Sequence, residues 1–343
     1  MEKKVVKTKN SRNKYKKVNL ITGATSMLAI ELMKKLLELG EEVRILTKSA
    51  PDYTDGWQGI PQGVIPYVVD FTLPTDKDRK NLDDACTGVD RIFHIGGAIY
   101  LNKNSFDMFM NINVVGTENI LTSAVENNPK NKEVHIIFAS STSVYGHNRK
   151  NEILTEDSKT MAETPYGKSK YITEQLIQTF GIAHPNLKYT IMRMGVLYGT
   201  GYEKAFCKVF ELIKKGEMKY TGNGENHLTL INIKDATEAM VLAATNENSK
   251  NKIYNLTDGK KYTQKYLFTL VAKYLNVEPP NKHIPMILAK IGRRTKNINA
   301  DEIDFLLSDR IISIEKIKRD IKFSPKAKIE VEGLEMAKNC VSR

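Results

Sequence analysis

The stretch VNLITGATSMLAIELMKKLLELGEEVRILT, residues 18–47, decides the fold. Residues 18–22 are an apolar run of strand length that ends at Gly23, and the leucines of residues 26–39 recur near helical spacing until Gly40 stops the pattern. Residues 42–47 are predicted to form a second strand. The stretch therefore predicts a strand, a tight turn, a helix and a parallel second strand.

Alternating patterns of the same kind continue to about residue 200. Further strands are predicted at 64–69, 91–95, 134–139 and 188–192, and long helices at 104–128 and 165–180. From about residue 206 the alternation breaks down, and prolines separate shorter elements. We expect a dinucleotide-binding domain at 18–200, with elements returning to it from about 228–257, and a mainly substrate-binding lobe at 201–343.

The net charge of +12 is concentrated at the start of the chain. Residues 1–17 contain eight Lys and Arg against Glu2, so they are predicted to be a solvated, disordered basic tail, although such a tail could also touch nucleic acid or an anionic membrane. No specific nucleic-acid partner is expected. No run of 18 apolar residues occurs, so no transmembrane segment is expected.

The three cysteines, Cys86, Cys207 and Cys340, are odd in number and far apart. This spacing favours a reducing compartment, taken here as the cytoplasm, and argues against a disulfide framework or a zinc site. The histidines are also scattered, so no metal is expected.

The turn after the first strand, TGATSMLA at 22–29, has the position of a phosphate-binding loop. Glycine there lets backbone N–H groups approach a pyrophosphate, and the helix N-terminus adds a partial positive charge. Ser26 and Ala29 stand where a glycine-rich loop would have its later glycines. The predicted coenzyme contacts in this loop are Thr22, Gly23, Thr25, Ser26, Met27 and Leu28.

The end of the second strand should contact the adenosine ribose of a dinucleotide. A carboxylate there would favour NAD, but the sequence has Arg44 and Lys48 instead. Two cations suit a 2′-phosphate, so NADP is predicted, with NAD left open. Asp70 and Phe71, which end the third strand, are predicted to contact the adenine.

The stretch TPYGKSK, residues 164–170, carries the predicted acid–base chemistry. Thr164 and Pro165 suit the start of a helix, which places Tyr166 and Lys170 four residues apart on one face. A tyrosine has a reference pKa of about 10, and a nearby ammonium lowers it towards the working pH. Serines follow the strand at 134–139, where a hydroxyl could hold a substrate oxygen.

Taken together, these motifs resemble those of the extended short-chain dehydrogenase/reductase family, which includes sugar-nucleotide epimerases and dehydratases, 3β-hydroxysteroid dehydrogenases and dihydroflavonol reductases. The resemblance covers nearly all of residues 17–337. Its motifs, in family order, are TGATSMLA (22–29), FHIGGA (93–98), NVVGTENIL (113–121), SSTSVYG (140–146), YGKSK (166–170), RMGVLYG (193–199), GNGEN (222–226), IKDATEA (233–239) and DIKFSP (320–325). It implies an α/β fold, a Rossmann-type doubly wound parallel sheet with a smaller C-terminal substrate lobe.

The resemblance also implies roles for individual residues. Tyr166 would be the acid–base, Lys170 would bind the nicotinamide ribose and tune Tyr166, and Ser141 would orient the substrate. Asn113 resembles the asparagine that steadies the active-site helix in this family. Further coenzyme contacts are implied at Ile95, Gly96, Gly97, Gly195 and Val196. The sequence departs from the family pattern in two places: the cofactor loop has fewer glycines than usual, and Met194 stands where proline is usual. Members of this family often form homodimers through two long helices, which correspond to those predicted at 104–128 and 165–180.

Three functions remain open at this point. The first is an NADP-dependent oxidoreductase for a carbonyl or hydroxyl of a small, largely apolar substrate. The second is a nucleotide-sugar epimerase or dehydratase, against which Leu228 stands where that branch commonly has an arginine for the diphosphate. The third, a non-catalytic cofactor-binding regulator, is disfavoured because both Tyr166 and Lys170 are present.

Overall fold

Seven parallel strands form the central sheet in a computed structural model that describes residues 16–48, 59–72, 74–99, 105–285 and 306–341. The strands are β1 (Val18–Thr22), β2 (Glu42–Thr47), β3 (Ile65–Val68), β4 (Arg91–His94), β5 (Val134–Ser141), β7 (Leu187–Met194) and β12 (Lys252–Leu256). Their order is β12-β7-β5-β4-β1-β2-β3. The order reverses direction at β1, between β2 and β4, and such a reversal is where ligands bind in doubly wound sheets.

Helices cover both faces of this sheet, as a doubly wound fold requires. They are α1 (Met27–Glu38), α2 (Asp76–Cys86), α3 (Phe106–Phe109), α4 (Gly116–Glu126), α5 (Pro165–Ala183), α6 (Lys204–Lys214), α7 (Ile233–Thr245), α8 (Gln264–Leu275), α9 (Glu315–Ile321) and α10 (Ile329–Val341). One core cluster lies between the sheet and α1, α7 and α9, and a second lies between the sheet and α2, α4 and α5. The predicted Rossmann-type fold is therefore confirmed.

The predicted first βαβ unit matches the structure almost residue for residue. All of β1 is buried, and its residues pair in register with β2 from Val18 with Glu42 onward. Ser26 caps α1 by accepting a hydrogen bond from the Ala29 amide at 3.2 Å. The cap explains how a serine can open this helix where a glycine is more common.

The helix predicted over 104–128 is not one regular helix. Its described part runs from α3 through a π-helical turn, Met110–Val115, into α4. The Asn113 carbonyl accepts hydrogen bonds from the hydroxyls of Thr117 and Thr173 at 2.5 and 3.0 Å. Side chains thus compete for a carbonyl that a regular helix would use for its own ladder, and such π turns are frequent at functional sites.

A lobe built from the later part of the chain lies beside the sheet. Its own core is formed mainly by α6, α8 and α10. Short strand pairs complete it: β8 (Val196–Tyr198) with β11 (Leu230–Asn232), β9 (Lys219–Thr221) with β14 (Lys282–Ile284), β10 (His227–Leu228) with β13 (Tyr262–Thr263), and β6 (Asn148–Leu154) with β15 (Asp309–Ile312). These short elements carry little periodicity and were not predicted.

The cysteine prediction was wrong for two of the three residues. Cys207 on α6 and Cys340 on α10 form a disulfide across 133 residues, and Cys86 is free and buried. The pairing depends on α6 and α10 packing side by side, which no local sequence pattern reveals. Residues 1–15 of the predicted basic tail lie outside the described residues, and no helix in the described part of the chain is long and apolar enough to cross a membrane.

Candidate active site

A cavity of about 670 Å³ opens at the C-terminal ends of β1, β4, β5 and β7. It runs from the turn after β1 past Tyr166 and into the lobe. The predicted site residues that line it are Gly23, Thr25, Ser26, Leu28, Ile95, Gly96, Gly97, Ser141, Tyr166, Lys170, Gly195 and Val196. Residues from distant parts of the chain thus meet at the edge of the sheet where this fold binds ligands.

The turn after β1 approaches the turn after β4 very closely. Gly23 has a φ of +72°, and a Cβ on it would lie 2.7 Å from the backbone of Gly96. The Thr22 hydroxyl accepts a hydrogen bond from the Gly96 amide at 2.9 Å, which holds the two turns together. The result is a cradle of backbone and small side chains at the N-terminus of α1, which fits the pyrophosphate of a dinucleotide.

Helix α5 brings Tyr166 and Lys170 into the cavity. Thr164 caps this helix by accepting from the Gly167 amide at 3.0 Å. Lys170 donates to the Ala139 carbonyl at 2.8 Å, and its Nζ lies 5.9 Å from the centre of the Tyr166 ring. Burial lowers the pKa of Lys170 to about 8, although Glu174 opposes this shift. The pair therefore has the geometry and charge that an acid–base tyrosine needs.

Two hydroxyls lie together at the end of β5. Ser141 Oγ accepts hydrogen bonds from the Ser143 amide at 3.1 Å and from the Ser143 hydroxyl at 2.9 Å. Both serines line the cavity with Tyr166. Ser143 was not singled out from the sequence, although it belongs to the same serine-rich motif.

Asn113 does not line the cavity but supports two of its walls. Its Oδ1 accepts from the Ala98 amide at 2.7 Å, and its Nδ2 donates to Ser169 Oγ on α5 at 2.9 Å. A Cβ on Gly97 would lie 2.9 Å from Asn113 Oδ1. Asn113 therefore fixes the turn after β4 against the helix that carries Tyr166.

His94, which sequence analysis missed, connects the coenzyme cradle to the π-helical turn. It is buried, with Nδ1 2.7 Å from Thr22 Oγ1 and Nε2 2.7 Å from Thr117 Oγ1. Because the Thr117 hydroxyl donates to the Asn113 carbonyl, Nε2 must donate to Thr117 and Nδ1 must accept from Thr22. Burial and the charge of Lys170 lower the pKa of His94 to about 3, so the ring is neutral.

A buried ion pair lies next to Ser140 and Ser141 at the end of β5. Arg193 Nη2 is 2.8 Å from Glu174 Oε2, and both side chains are almost completely buried. Ser140 donates to Glu174 at 2.5 Å, and Arg193 Nη1 donates to the Tyr145 hydroxyl at 2.9 Å. The network joins β5, α5 and β7 just behind Ser141. Arg193 and Glu174 are 19 residues apart on different elements, and no local sequence pattern pairs them.

Arg44 does not reach the cavity, so the geometry does not support its predicted contact with a 2′-phosphate. It lies in the middle of β2, and its Nε donates to Glu42 at 2.9 Å. Its Nη1 donates to carbonyls at the end of α2, those of Asp84 at 3.3 Å, Ala85 at 3.0 Å and Thr87 at 2.6 Å. Arg44 is instead a C-terminal cap of that helix.

The other predicted coenzyme residues that do not line the cavity lie just after the ends of β2 and β3 or pack in the core. Lys48, at the end of β2, donates to Asp70 at 3.3 Å. Phe71 is buried, and a Cβ on Gly116 would lie 2.8 Å from its ring. Met27 packs against the core between the sheet and α1. Phe71 and Met27 thus contribute packing in this structure.

The part of the cavity beyond Tyr166 is lined mainly by apolar side chains. Leu228 and Leu230 lie there, and so do residues of α6, α8 and α10. Arg310 is the exception, and its Nη1 donates to the Thr142 carbonyl at 2.7 Å. Among the described residues that line the cavity, Lys170 and Arg310 are the only Lys or Arg.

The sequence model of the NAD dependent epimerase/dehydratase family matches residues 19–257. A relative from Escherichia coli O157:H7, N-acetyl-alpha-D-glucosaminyl-diphospho-ditrans,octacis-undecaprenol 4-epimerase, is 27% identical over 220 residues, which are 63% of this chain and 64% of that protein. The chain therefore spans less than two thirds of the length of that relative. A sterol-4-alpha-carboxylate 3-dehydrogenase (decarboxylating) from Dictyostelium discoideum is 23% identical over 258 residues, 73% of this chain and 74% of that protein.

Solved structures show the same fold. A crystal structure of UDP-glucose 4-epimerase with UDP-glucose from Thermotoga maritima matches with a TM-score of 0.74 at 20% identity, covering 95% of this chain and 98% of that chain. At this identity the likeness establishes the fold alone. Since the family match spans more than half of the sequence and the cavity lies where the fold binds its coenzyme, the chain belongs to the NAD dependent epimerase/dehydratase family, a family of nicotinamide-dependent enzymes.

Proposed function

We propose that the chain is an NADP-dependent oxidoreductase that transfers hydride to or from a carbonyl or hydroxyl carbon of a small, largely apolar substrate. The observation that carries this proposal is a cavity that joins the coenzyme cradle and Tyr166 to an apolar lobe. In this proposal residues 18–200 mainly hold the coenzyme and residues 201–343 mainly hold the substrate. A homodimer through α4 and α5 is part of the same proposal and is checked by the mass of the protein in solution.

The acid–base roles follow from the contacts of the residues. Tyr166 gives a proton to, or takes one from, the substrate oxygen, and Ser141 holds that oxygen by a hydrogen bond. Lys170, fixed by the Ala139 carbonyl, stabilises the phenolate of Tyr166 and binds the nicotinamide ribose. The nicotinamide, when bound, supplies the hydride. Asn113 keeps the two walls of the site in register.

The preference for NADP rests on the end of β2. Among the described residues there, Lys48 is the cation at the strand end, and its partner Asp70 lies across on the end of β3. Lys48 is largely exposed, so a 2′-phosphate can replace the Asp70 carboxylate as its partner or share the Lys48 ammonium with it. Lys48→Ala should therefore reduce the preference for NADPH, whereas Lys35→Ala, on the exposed face of α1, should leave it unchanged.

An apolar substrate explains the lining of the lobe. A diphosphate needs cations, yet Leu228 lies where sugar-nucleotide enzymes commonly have an arginine, and Lys170 is engaged at the reaction centre. Arg310 is the other cation that lines the cavity, and its Nη1 already donates to the Thr142 carbonyl. The name of the Dictyostelium discoideum relative, a sterol dehydrogenase, supports this proposal. The name of the Escherichia coli relative contains an undecaprenol, but it also names a glucosaminyl diphosphate and a 4-epimerase, which favour the second candidate. Burying apolar substrate surface in such a lining is favourable without charged partners.

A nucleotide-sugar epimerase or dehydratase is the second candidate. It is favoured by the family match and by the name of the Thermotoga maritima structure, which holds UDP-glucose. Both functions use the same coenzyme cradle and the same tyrosine, and they differ in what occupies the lobe.

Calorimetric titration separates the two candidates. Purified protein is titrated with NADPH and with NADH, and then with UDP and UDP-glucose as second ligands. Preference for NADPH without binding of either nucleotide supports the proposed oxidoreductase. Tight NADH binding together with micromolar UDP binding would overturn it in favour of the epimerase.

A further inference from the structure

Three amphipathic helices turn their apolar faces towards the far part of the cavity. These are α6, α8 and α10, and no charged side chain on their described residues lines it. Their lining side chains include Phe206, Phe210, Leu270, Val271, Ile329 and Met336. Charged residues of the same helices, such as Lys208, Lys265 and Glu335, lie exposed on other faces.

This far part of the cavity is a mainly apolar cleft next to the reaction centre. Ligand sites are commonly clefts lined by apolar and aromatic side chains, where burial of apolar ligand surface is favourable. Here the lobe is covalently braced, because Cys207 follows Phe206 on α6 and Cys340 lies one turn beyond Met336 on α10. The disulfide holds two walls of the cavity together at fixed spacing, so the space is preformed.

The walls formed by α6, α8 and α10 offer almost nothing to a polar ligand. The buried Tyr198 hydroxyl, which has no hydrogen-bond partner among the described residues, and Arg310 line the cavity from other elements. The Tyr274 hydroxyl is already used, since it donates to the Glu330 carbonyl at 2.5 Å and leaves only the ring at the cavity. A nucleotide base, ribose or diphosphate buried there would lose its hydrogen bonds to water without replacement, at a cost of about 1–3 kcal/mol for each unpaired group. A hydrocarbon loses nothing polar and gains from every methylene that it buries.

We infer that the space between α6, α8 and α10 binds an alkyl chain of the substrate, with the reacting carbonyl or hydroxyl held at Tyr166. Gly195, Leu230 and Gly333 line the same cavity as Tyr166, so one extended molecule can reach both the reaction centre and the three helices. The inference rests on the proposed function for the position of the reacting group. It adds the substrate class, a molecule with a polar reacting end and an extended hydrocarbon chain.

The test is calorimetric binding of a series of unbranched methyl ketones, from 2-pentanone to 2-undecanone, to the full-length protein without coenzyme. We expect the affinity to rise about fourfold per methylene until the chain fills the cavity. Equal affinities across the series, within threefold, would overturn the inference. Because no turnover is involved, a steep series without hydride transfer from either coenzyme refutes the proposed function and leaves the chain site standing.

A cavity-filling variant locates the chain. Val271→Phe places a ring in the open space. It should lower the affinity for 2-undecanone at least tenfold and change the affinity for 2-pentanone less than threefold. The matched control is Val331→Phe on α10, where the side chain is 59% exposed, and it should change neither affinity. Val209→Phe on α6 provides a second blocking variant if Val271→Phe does not fold. Unchanged 2-undecanone affinity in a folded blocking variant would overturn the inference.

Discussion

Glu174→Gln should destabilise the chain strongly, because it leaves the buried charge of Arg193 without its counter-ion. Glu174 is completely buried, and its carboxylate receives hydrogen bonds from Arg193 Nε at 3.1 and 3.2 Å and from Nη2 at 2.8 Å. The substitution keeps the shape of the side chain and removes only the negative charge. The Ser140 hydroxyl can still donate to the amide oxygen.

The magnitude follows from this burial. Removing one partner of a buried ion pair costs about 3–5 kcal/mol, and the lower end applies here because an isosteric acceptor remains. At roughly 2 °C per kcal/mol for a chain of this size, the midpoint of thermal unfolding should fall by about 6 °C. The same change at Glu335, whose pair with Lys338 is exposed, should cost less than about 1 kcal/mol.

Urea unfolding followed by circular dichroism measures both variants and the double replacement Glu174→Gln/Arg193→Met. Removing both charges should recover more than half of the lost stability, because no unpaired charge is left buried. A Glu174→Gln variant within about 1 kcal/mol of the wild type would refute the account of this network. It would mean that water reaches Arg193 behind the active site.

Three further outcomes follow from the same geometry. The Lys170 side chain has a pKa of about 8, so it is charged below that pH and neutral above it. Coenzyme binding by the wild type should therefore weaken as the pH rises through about 8. In Lys170→Met this pH dependence should disappear. An identical profile in the variant would contradict this. His94 has a folded pKa of about 3 against 6.5, so the unfolded chain binds more protons between these values and stability should fall as pH drops through that window. Between pH 7 and pH 5 the free energy of unfolding of His94→Gln, measured with urea, should fall by about 2 kcal/mol less than that of the wild type. The same pH dependence in both proteins would argue against a buried neutral ring. Cys340→Ser should lower the free energy of unfolding by about 3 kcal/mol, and dithiothreitol should destabilise the wild type but not the variant; equal sensitivity of the two to the reductant would argue against the disulfide.

Sequence patterns predicted those parts of the fold whose causes are local. The apolar run 18–22, the leucines of α1 and the stop at Gly40 all act within a few residues, and the structure reproduces the unit that they predict. The cap and first-turn residues Thr164 and Pro165 likewise placed the start of α5, and with it Tyr166 and Lys170.

Features that depend on distant parts of the chain were not predictable in this way. The π-helical turn needs Thr173, 60 residues away, to bond the Asn113 carbonyl. The disulfide needs α6 and α10 to meet in space. Arg44 has the right residue type and the right strand for a phosphate contact, but its position in the middle of β2 directs it to the end of α2. Residue type and spacing predicted the helix start that places Tyr166 and Lys170, whereas position along a strand decided which side chains reach the cavity.

Hydride transfer from the coenzyme, and its dependence on Tyr166, is the most direct test of the central claim. NADPH in which both hydrogens at C4 of the nicotinamide are deuterium is mixed with 2-undecanone and either the wild type or Tyr166→Phe, and the alcohol product is analysed by mass spectrometry. The account predicts deuterium in the wild-type product, and less than a tenth of the wild-type rate in the variant with coenzyme affinity retained. Absence of deuterated alcohol with the wild type, or more than a tenth of its rate with Tyr166→Phe, would contradict the account.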